Sequence, residues 1–349
     1  MSFFGKFFQT THKQSLVLID ISAGSIAGAY VHYQDNQKPA MLFTRRLPIE
    51  ITSDEPHEKA MLRALEMLGQ ILVREGAPAL ARYTGSGTAD AILVSVDAPW
   101  QATNVRTEVL ERKTPFIFTR AMVATAIDKT SVTAPGKMLV DESIIGTVLN
   151  GYETRQPYGK KVHRASIIVL TSLIDEKVSG SIVTQLRKLF HTRNILSIAS
   201  SSLRYQAMRV AFPHERSAII LDAIGPLLSI ALVRRGLLVA VTEVAESISA
   251  KDTAALVQKI IEEFNELAKR YPLPRTIFLI DQAEDVAALE KGLNAAKLAG
   301  LWLSDNPPTI VSVFADHISE FVKQVTPTPP DLPLLLMALY WAHRSSKEE

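Results

Sequence analysis

Short apolar runs alternate with amphipathic stretches along most of this chain. Residues 15–21 (SLVLIDI) form a branched, unbroken apolar run stopped by a polar turn, the pattern of a buried strand. Residues 25–33 and 40–49 repeat that pattern. Between 56 and 75, Met61, Leu65, Leu68 and Leu72 recur at helical spacing, with Pro56 near the start, so this segment is predicted helical. Pro78, Gly85 and Gly87 mark 77–89 as a loop, and 91–96 (AILVSV) is a further buried strand that ends before Pro99.

The pattern changes between 100 and 196. Residues 105–111 alternate like a half-exposed strand, and 119–130 is a helix with Thr119 as its N-cap. Strands at 138–149 and 162–171 are split by the turn-rich 150–161. Residues 175–190 form an amphipathic helix with Val178, Ile182, Leu186 and Leu189 on one face. From 195 the first style returns. It comprises a helix at 202–212, a meander at 217–223, 227–234 and 237–244 with a Gly236 turn, and a helix at 253–271. A strand at 276–280, a helix at 283–299 and a strand at 309–313 follow. A proline-rich turn at 324–330 leads to a last apolar helix at 332–343.

The sequence contains an internal repeat. SLVLIDISAGSIAGAYV (15–31) aligns with SAIILDAIGPLLSIALV (217–233), matching Ser15 with Ser217, Asp20 with Asp222, Ala29 with Ala231 and Val31 with Val233. Each copy is an apolar strand, an Asp at its end, a tight turn and a second apolar strand. Two buried hairpins can look alike because buried strands draw on few residue types. The alternative is chemical. An Asp at a strand end, followed by a tight turn, aims a carboxylate and backbone amides at one point. Two such points can hold a phosphate chain and its magnesium.

These hairpins resemble the two phosphate loops of the actin, sugar kinase and chaperone ATPase superfamily. Residues 141–161, 165–175 and 195–208, with Asn150, Gly151, Tyr152, Pro157, Gly159 and Lys160, narrow the resemblance to the PilM and FtsA families. It implies an α/β, actin-like (ribonuclease H-like) duplication with a small inserted SHS2-type α/β subdomain and a reduced fourth subdomain. The implied boundaries are a first half at 13–99 (1A), the insert at 100–196 (1C), a return to the first half at 197–216, a second half at 217–329 (2A, with 2B largely deleted) and a C-terminal helix at 330–349 packing on the first half. The implied nucleotide residues are Asp20, Ser22, Gly24, Ser25, Asp222 and Gly225, with Asp20 and Asp222 on Mg2+ if ATP binds.

The motifs depart from that pattern. The second phosphate loop reads Asp222-Ala-Ile-Gly225-Pro226-Leu227-Leu228. Pro226 has no N–H for a phosphate, and the two leucines replace Gly or Thr. The segment after 276–280, where an adenosine loop is expected, carries no glycine. The first phosphate loop keeps its small residues and hydroxyls. These departures favour a vestigial site, no cofactor and no catalytic residues over ATP hydrolysis. For Asp20 and Asp222 the plain expectation is that they hydrogen-bond their own turns. A sugar or acetate kinase would need the missing glycines.

Composition narrows the rest. The 349 residues are 47% hydrophobic, enough for large cores, and the net charge of +2 gives no electrostatic case for nucleic acid. The absence of cysteine excludes disulfides and thiolate chemistry. The eight histidines lack metal-ligand spacing, and Ser200–Ser202 and Gly85–Gly87 lack the context of a serine hydrolase. The basic run 158–164 reads as a solvated turn. No apolar run reaches the roughly 20 residues that span a bilayer, and the N-terminus lacks a signal-peptide core.

The resemblance implies a cytoplasmic scaffold at the inner face of the membrane in type IV pilus-like assembly. It would bind the cytoplasmic peptide of an inner-membrane protein in a groove walled by 40–49, 94–100 and the insert, and could self-associate. Peripheral membrane contact would run through that partner or through Phe3, Phe4, Phe7 and Phe8. The alternative is an FtsA-like, ATP-binding filament protein that tethers a division polymer to the membrane. The short segment after His343 is not amphipathic, which favours the PilM side.

Overall fold

A computed structural model of the chain describes residues 13–52, 55–129, 134–154, 156–224, 228–244, 253–281, 283–296, 298–302 and 306–345. The chain divides into two compact units, one formed by 1–95, 180–197 and 315–349, the other by 96–179 and 198–314.

In the first unit, β1 (Lys13–Ile21), β2 (Ser25–Gln34) and β3 (Ala40–Pro48) form an antiparallel meander. The helix α1 (His57–Ile71) follows and buries Ala60, Met61, Ala64, Leu65 and Leu68, close to the face that the spacing predicts. A π-helical turn at Leu72–Gly76 leads into α2 (Ala77–Thr84). This corrects the loop expected at 77–89. The backbone stays helical from α1 through the π-helical turn into α2, so Pro78 lies inside a continuous helix just past that turn, and Gly85 at φ 85° ends the helix in the left-handed region. Of the residues read as breakers, Gly85 is therefore the helix's stop signal, while Pro78 follows the π-helical irregularity. β4 (Ala91–Val96) is buried throughout.

The second unit opens with β5 (Gln101–Ile117), α3 (Arg120–Lys129), β6 (Lys137–Leu149), the short β7 (Tyr152–Glu153) and β8 (Lys161–Asp175), in a four-stranded sheet of order β5-β8-β6-β7. Thr119 caps α3, its hydroxyl accepting the Met122 N–H at 3.3 Å. α3 covers one face through Val123 and Ala126, packed with Phe116, Phe118, Leu149, Val162, Ile167 and Val169. α4 (Glu176–Phe190) is capped by Asp175, which accepts from the Lys177 and Val178 amides.

After β9 (Ile195–Ala199) and α5 (Ser200–Ala211), the second meander runs through β10 (Ala218–Asp222), β11 (Leu228–Arg234) and β12 (Leu237–Val244). Then come α6 (Thr253–Ala268), β13 (Thr276–Ile280), α7 (Ala283–Ala295) and β14 (Thr309–Val313). Val257, Ile260, Phe264 and Leu267 of α6 join β10, β11 and β13 in one core. The chain finishes with α8 (Ala315–Ser319), the two-residue β15 (Lys323–Gln324) and α9 (Leu332–Ser345). α9 packs in the first unit, where Trp341 Nε1 donates to Gln14 and the Tyr33 hydroxyl donates to the Ala338 carbonyl.

The repeat is structural as well as sequential. One sheet has the order β15-β3-β2-β1-β4-β9 and another β12-β11-β10-β13-β14. Each sets a three-stranded meander beside two further strands on the side of its first strand. The registers coincide too. Asp20 pairs with Ala27 and Leu18 with Ala29; Asp222 pairs with Ser229 and Ile220 with Ala231.

Candidate functional site

In the first unit, the β1–β2 hairpin brings Asp20, Ser22, Gly24 and Ser25 together. Asp20 ends β1 and is 1% exposed. The ladder places Asp20, Ala27 and Arg46 in one row across β1, β2 and β3. Ala27 stops at its Cβ, so the Arg46 side chain passes over it to the carboxylate. Arg46 Nη2 lies 3.2 Å from Asp20 Oδ2. The same guanidinium donates from Nη1 to the Ser25 hydroxyl at 2.7 Å, and from Nε and Nη2 to Asp331 at 2.7 and 2.9 Å. Asp331 in turn accepts the Leu334 N–H at the start of α9. Burial alone would lower the pKa of Arg46, but hydrogen bonds and charge from Asp331 and Asp20 outweigh it and hold the guanidinium firmly ionised.

The turn itself is closed on its own groups. The Ser22 amide and hydroxyl both donate to the Ser25 carbonyl at 3.0 Å, and the two serine hydroxyls lie 3.2 Å apart. The Gly24 carbonyl accepts the Ile49 N–H, and the Ala23 carbonyl lies 2.7 Å from His57 Nε2.

The second unit repeats the motif with a different arginine. Asp222 ends β10, 6% exposed, and pairs with Arg204 from α5, itself 4% exposed. Arg204 Nη1 also reaches Asp97 Oδ2 at 3.2 Å. Asp222 Oδ1 accepts the Ile224 N–H, so its second oxygen serves its own turn. Burial pushes the Asp97 carboxyl up. The Arg204 charge pulls it back and the neighbouring Asp222 adds to the rise. Gly225, with Pro226 and Leu227, lies outside the described residues, as do Phe3, Phe4, Phe7 and Phe8.

A buried polar chain continues in the same unit. Gln101 donates to Glu243 at 2.7 Å. Thr103 donates to Gln101 Oε1 at 2.9 Å and meets the hydroxyls of Ser201 at 2.7 Å and Ser172 at 3.2 Å. Burial, with help from the Asp97 charge, raises the Glu243 carboxyl to about 7, against the Gln101 hydrogen bond that lowers it. Sequence reasoning did not find Arg46, Arg204, Asp97, Asp331 or Glu243.

Both units therefore carry the duplicated meander with aligned strand-end aspartates. A chain of a PilM–PilN type IV pilus biogenesis complex matches this structure with a TM-score of 0.59 at 13% identity, over 96% of this chain and 98% of its own. The fold is actin-like. A Bacteroides thetaiotaomicron protein described as having an actin-like ATPase fold and unknown function also resembles it, with a TM-score of 0.47 at 9% identity over 94% of this chain and 96% of its own. The ethanolamine utilization protein EutJ from Carboxydothermus hydrogenoformans gives 0.44 at 10% identity over 95% and 89%. No protein-family model and no curated protein sequence matches the chain.

The ligand an actin-like fold implies is a magnesium nucleotide, and the donor set does not fit it. A cation approaching Asp20 or Asp222 meets a guanidinium already on that carboxylate. Among the described residues, no group of three or more His, Asp or Glu is set to hold a metal.

Proposed function

We propose that the chain is a non-catalytic scaffold of a type IV pilus-like assembly, with an actin-like nucleotide site that has become vestigial. The observation that carries this reading is the pairing of both strand-end aspartates with arginines of their own units. An internal cation stands where a working site needs an external one, so the fold holds its turns without ligand. The PilM–PilN likeness over nearly the whole of both chains supports the assembly role. On this reading the chain acts at the cytoplasmic face of the inner membrane and binds the cytoplasmic tail of a PilN-type protein. Among the described residues no helix is long and apolar enough to cross a membrane, so contact with the bilayer would be peripheral or through the partner. Calorimetry of the purified chain with a synthetic PilN-type tail tests this. Micromolar binding unchanged by Mg·ATP is expected. Binding that appears only with nucleotide would favour a switched, FtsA-like protein instead.

A further inference from the structure

One end of the β5-β8-β6-β7 sheet gathers cations that the sequence scatters over two segments. β5 and β8 pair Ile117 with Lys161, Phe116 with Val162 and Glu111 with Arg164. Between Glu111 and Phe116 the register shifts, so Arg112, Lys113, Thr114 and Pro115 stand out from the ladder, all exposed. The Phe118 amide donates to the Lys160 carbonyl and the Gly159 amide to the Phe118 carbonyl, which ties the 158–161 turn to the end of β5. Asn150 Oδ1 accepts from the His163 and Arg164 amides, bringing the Asn150–Tyr152 turn alongside. Exposed Arg112, Lys113, Arg120, Lys160, Lys161 and Arg164 therefore share one end of one sheet. Among the described side chains there, Glu111 is the facing acid, 3.9 Å from Arg164.

Aliphatic and aromatic groups protrude among these charges. Ile117 is 58% exposed and Tyr152 79%. A chain of net charge +2 that concentrates its cations around exposed apolar side chains has a local surface unlike its average. Two kinds of polyanion suit such a surface. Single-stranded nucleic acid needs open aromatic faces on which bases stack. Here Phe118 stacks on Tyr158 with centroids 5.8 Å apart, Arg120 lies over the Tyr158 ring at 5.2 Å, and Arg112 lies over Phe116 at 5.1 Å. Those rings are taken, which leaves Tyr152 as the open ring among the described residues at this end, one ring where a stacking platform uses successive ones, while Ile117 offers an aliphatic wedge. We propose that this end of the sheet docks on an anionic lipid surface, its cations on headgroups and Ile117 and Tyr152 at the acyl boundary.

Flotation of the full chain with vesicles tests this, using phosphatidylcholine alone and in equal parts with phosphatidylglycerol. Binding to the anionic vesicles only, released by high salt, is expected. The triple variant Arg112→Glu, Lys113→Glu, Lys161→Glu should lower the bound fraction about tenfold, and Ile117→Ser should lower it at every salt concentration. A variant with Phe3→Ser, Phe4→Ser, Phe7→Ser and Phe8→Ser should keep the lipid dependence. Arg112, Lys113, Ile117 and Lys161 all lie on the exposed tip, and unchanged circular dichroism checks the fold of every variant. Equal flotation of wild type and triple variant overturns the proposal, as does loss of binding in the Phe variant alone. Binding of single-stranded oligonucleotide without flotation on anionic vesicles also overturns it.

Discussion

The guanidinium of Arg46 lies 3.2 Å from the carboxylate of Asp20, reached across the small side chain of Ala27 in the same cross-strand row. The aligned Asp222 is paired by a different route, with Arg204 arriving from a helix rather than a third strand. Two unrelated placements thus give one electrostatic result, a strand-end carboxylate neutralised from within its own unit.

Removing Arg204 exposes the cost of that arrangement. In Arg204→Met, the buried Asp222 and the half-buried Asp97 lose their shared counter-ion. The expected loss of stability is about 3–5 kcal/mol, read by chemical denaturation. Adding Asp222→Asn should return part of it, because one of the two stranded charges is gone. Equal stability of Arg204→Met and wild type would contradict the pairing.

Arg46→Ala acts on the other unit and on α9. Asp331 loses its partner on β3 but keeps the Leu334 amide, so α9 should fray at its start rather than unfold. The side chain is 24% exposed, which limits the expected cost to about 1–2 kcal/mol. Hydrogen exchange should quicken at 332–336 and in the 22–25 turn while the rest of the sheet stays protected.

Glu243 makes stability depend on pH. Its carboxyl is raised from 4.5 to about 7 in the fold, so the folded state holds a proton that the unfolded state has released across that range. Stability should therefore fall as pH rises from about 4.5 to 7 and level off above, by about 1–2 kcal/mol after discounting partial exposure. Glu243→Gln keeps the shape and removes the titration. Denaturation midpoints of wild type against this variant across that range should diverge as pH rises, the variant being the more stable at pH 8.

Gly146 tests the packing of β6 on β12. A Cβ there would stand 2.3 Å from Leu237 Cδ2, too close for any carbon pair. Gly146→Val should cost about 1–3 kcal/mol in thermal or chemical denaturation. Leu237→Ala in the same chain should offset part of that loss by opening the space.

Much of this fold was legible because its strands are short, branched and bounded by polar turns. The 15–31 and 217–233 repeat was visible because two buried hairpin segments of equal length carry Asp, Ala and Val at matching positions, and those positions share one ladder register. The helix Ala77–Thr84 was hidden because Pro78 follows a π-helical turn within a continuous helix and Gly85 is its terminal signal, and the same residue types mark loops elsewhere. The arginine partners were harder still. Arg46 is 26 positions from Asp20 and Arg204 is 18 from Asp222, with no fixed spacing between them. A hairpin register drawn through Ala27 would have reached Arg46. The helix-borne Arg204 depends on tertiary packing that no local pattern encodes.

The central claim is that the two strand-end aspartates are neutralised internally, leaving no working magnesium nucleotide site. Calorimetric titration of the purified chain with Mg·ATP, beside Asp20→Ala and Asp222→Ala variants, tests it most directly. A folded sample that gives no heat at millimolar nucleotide is the predicted result. Micromolar binding in the wild type, lost in both variants, would contradict it.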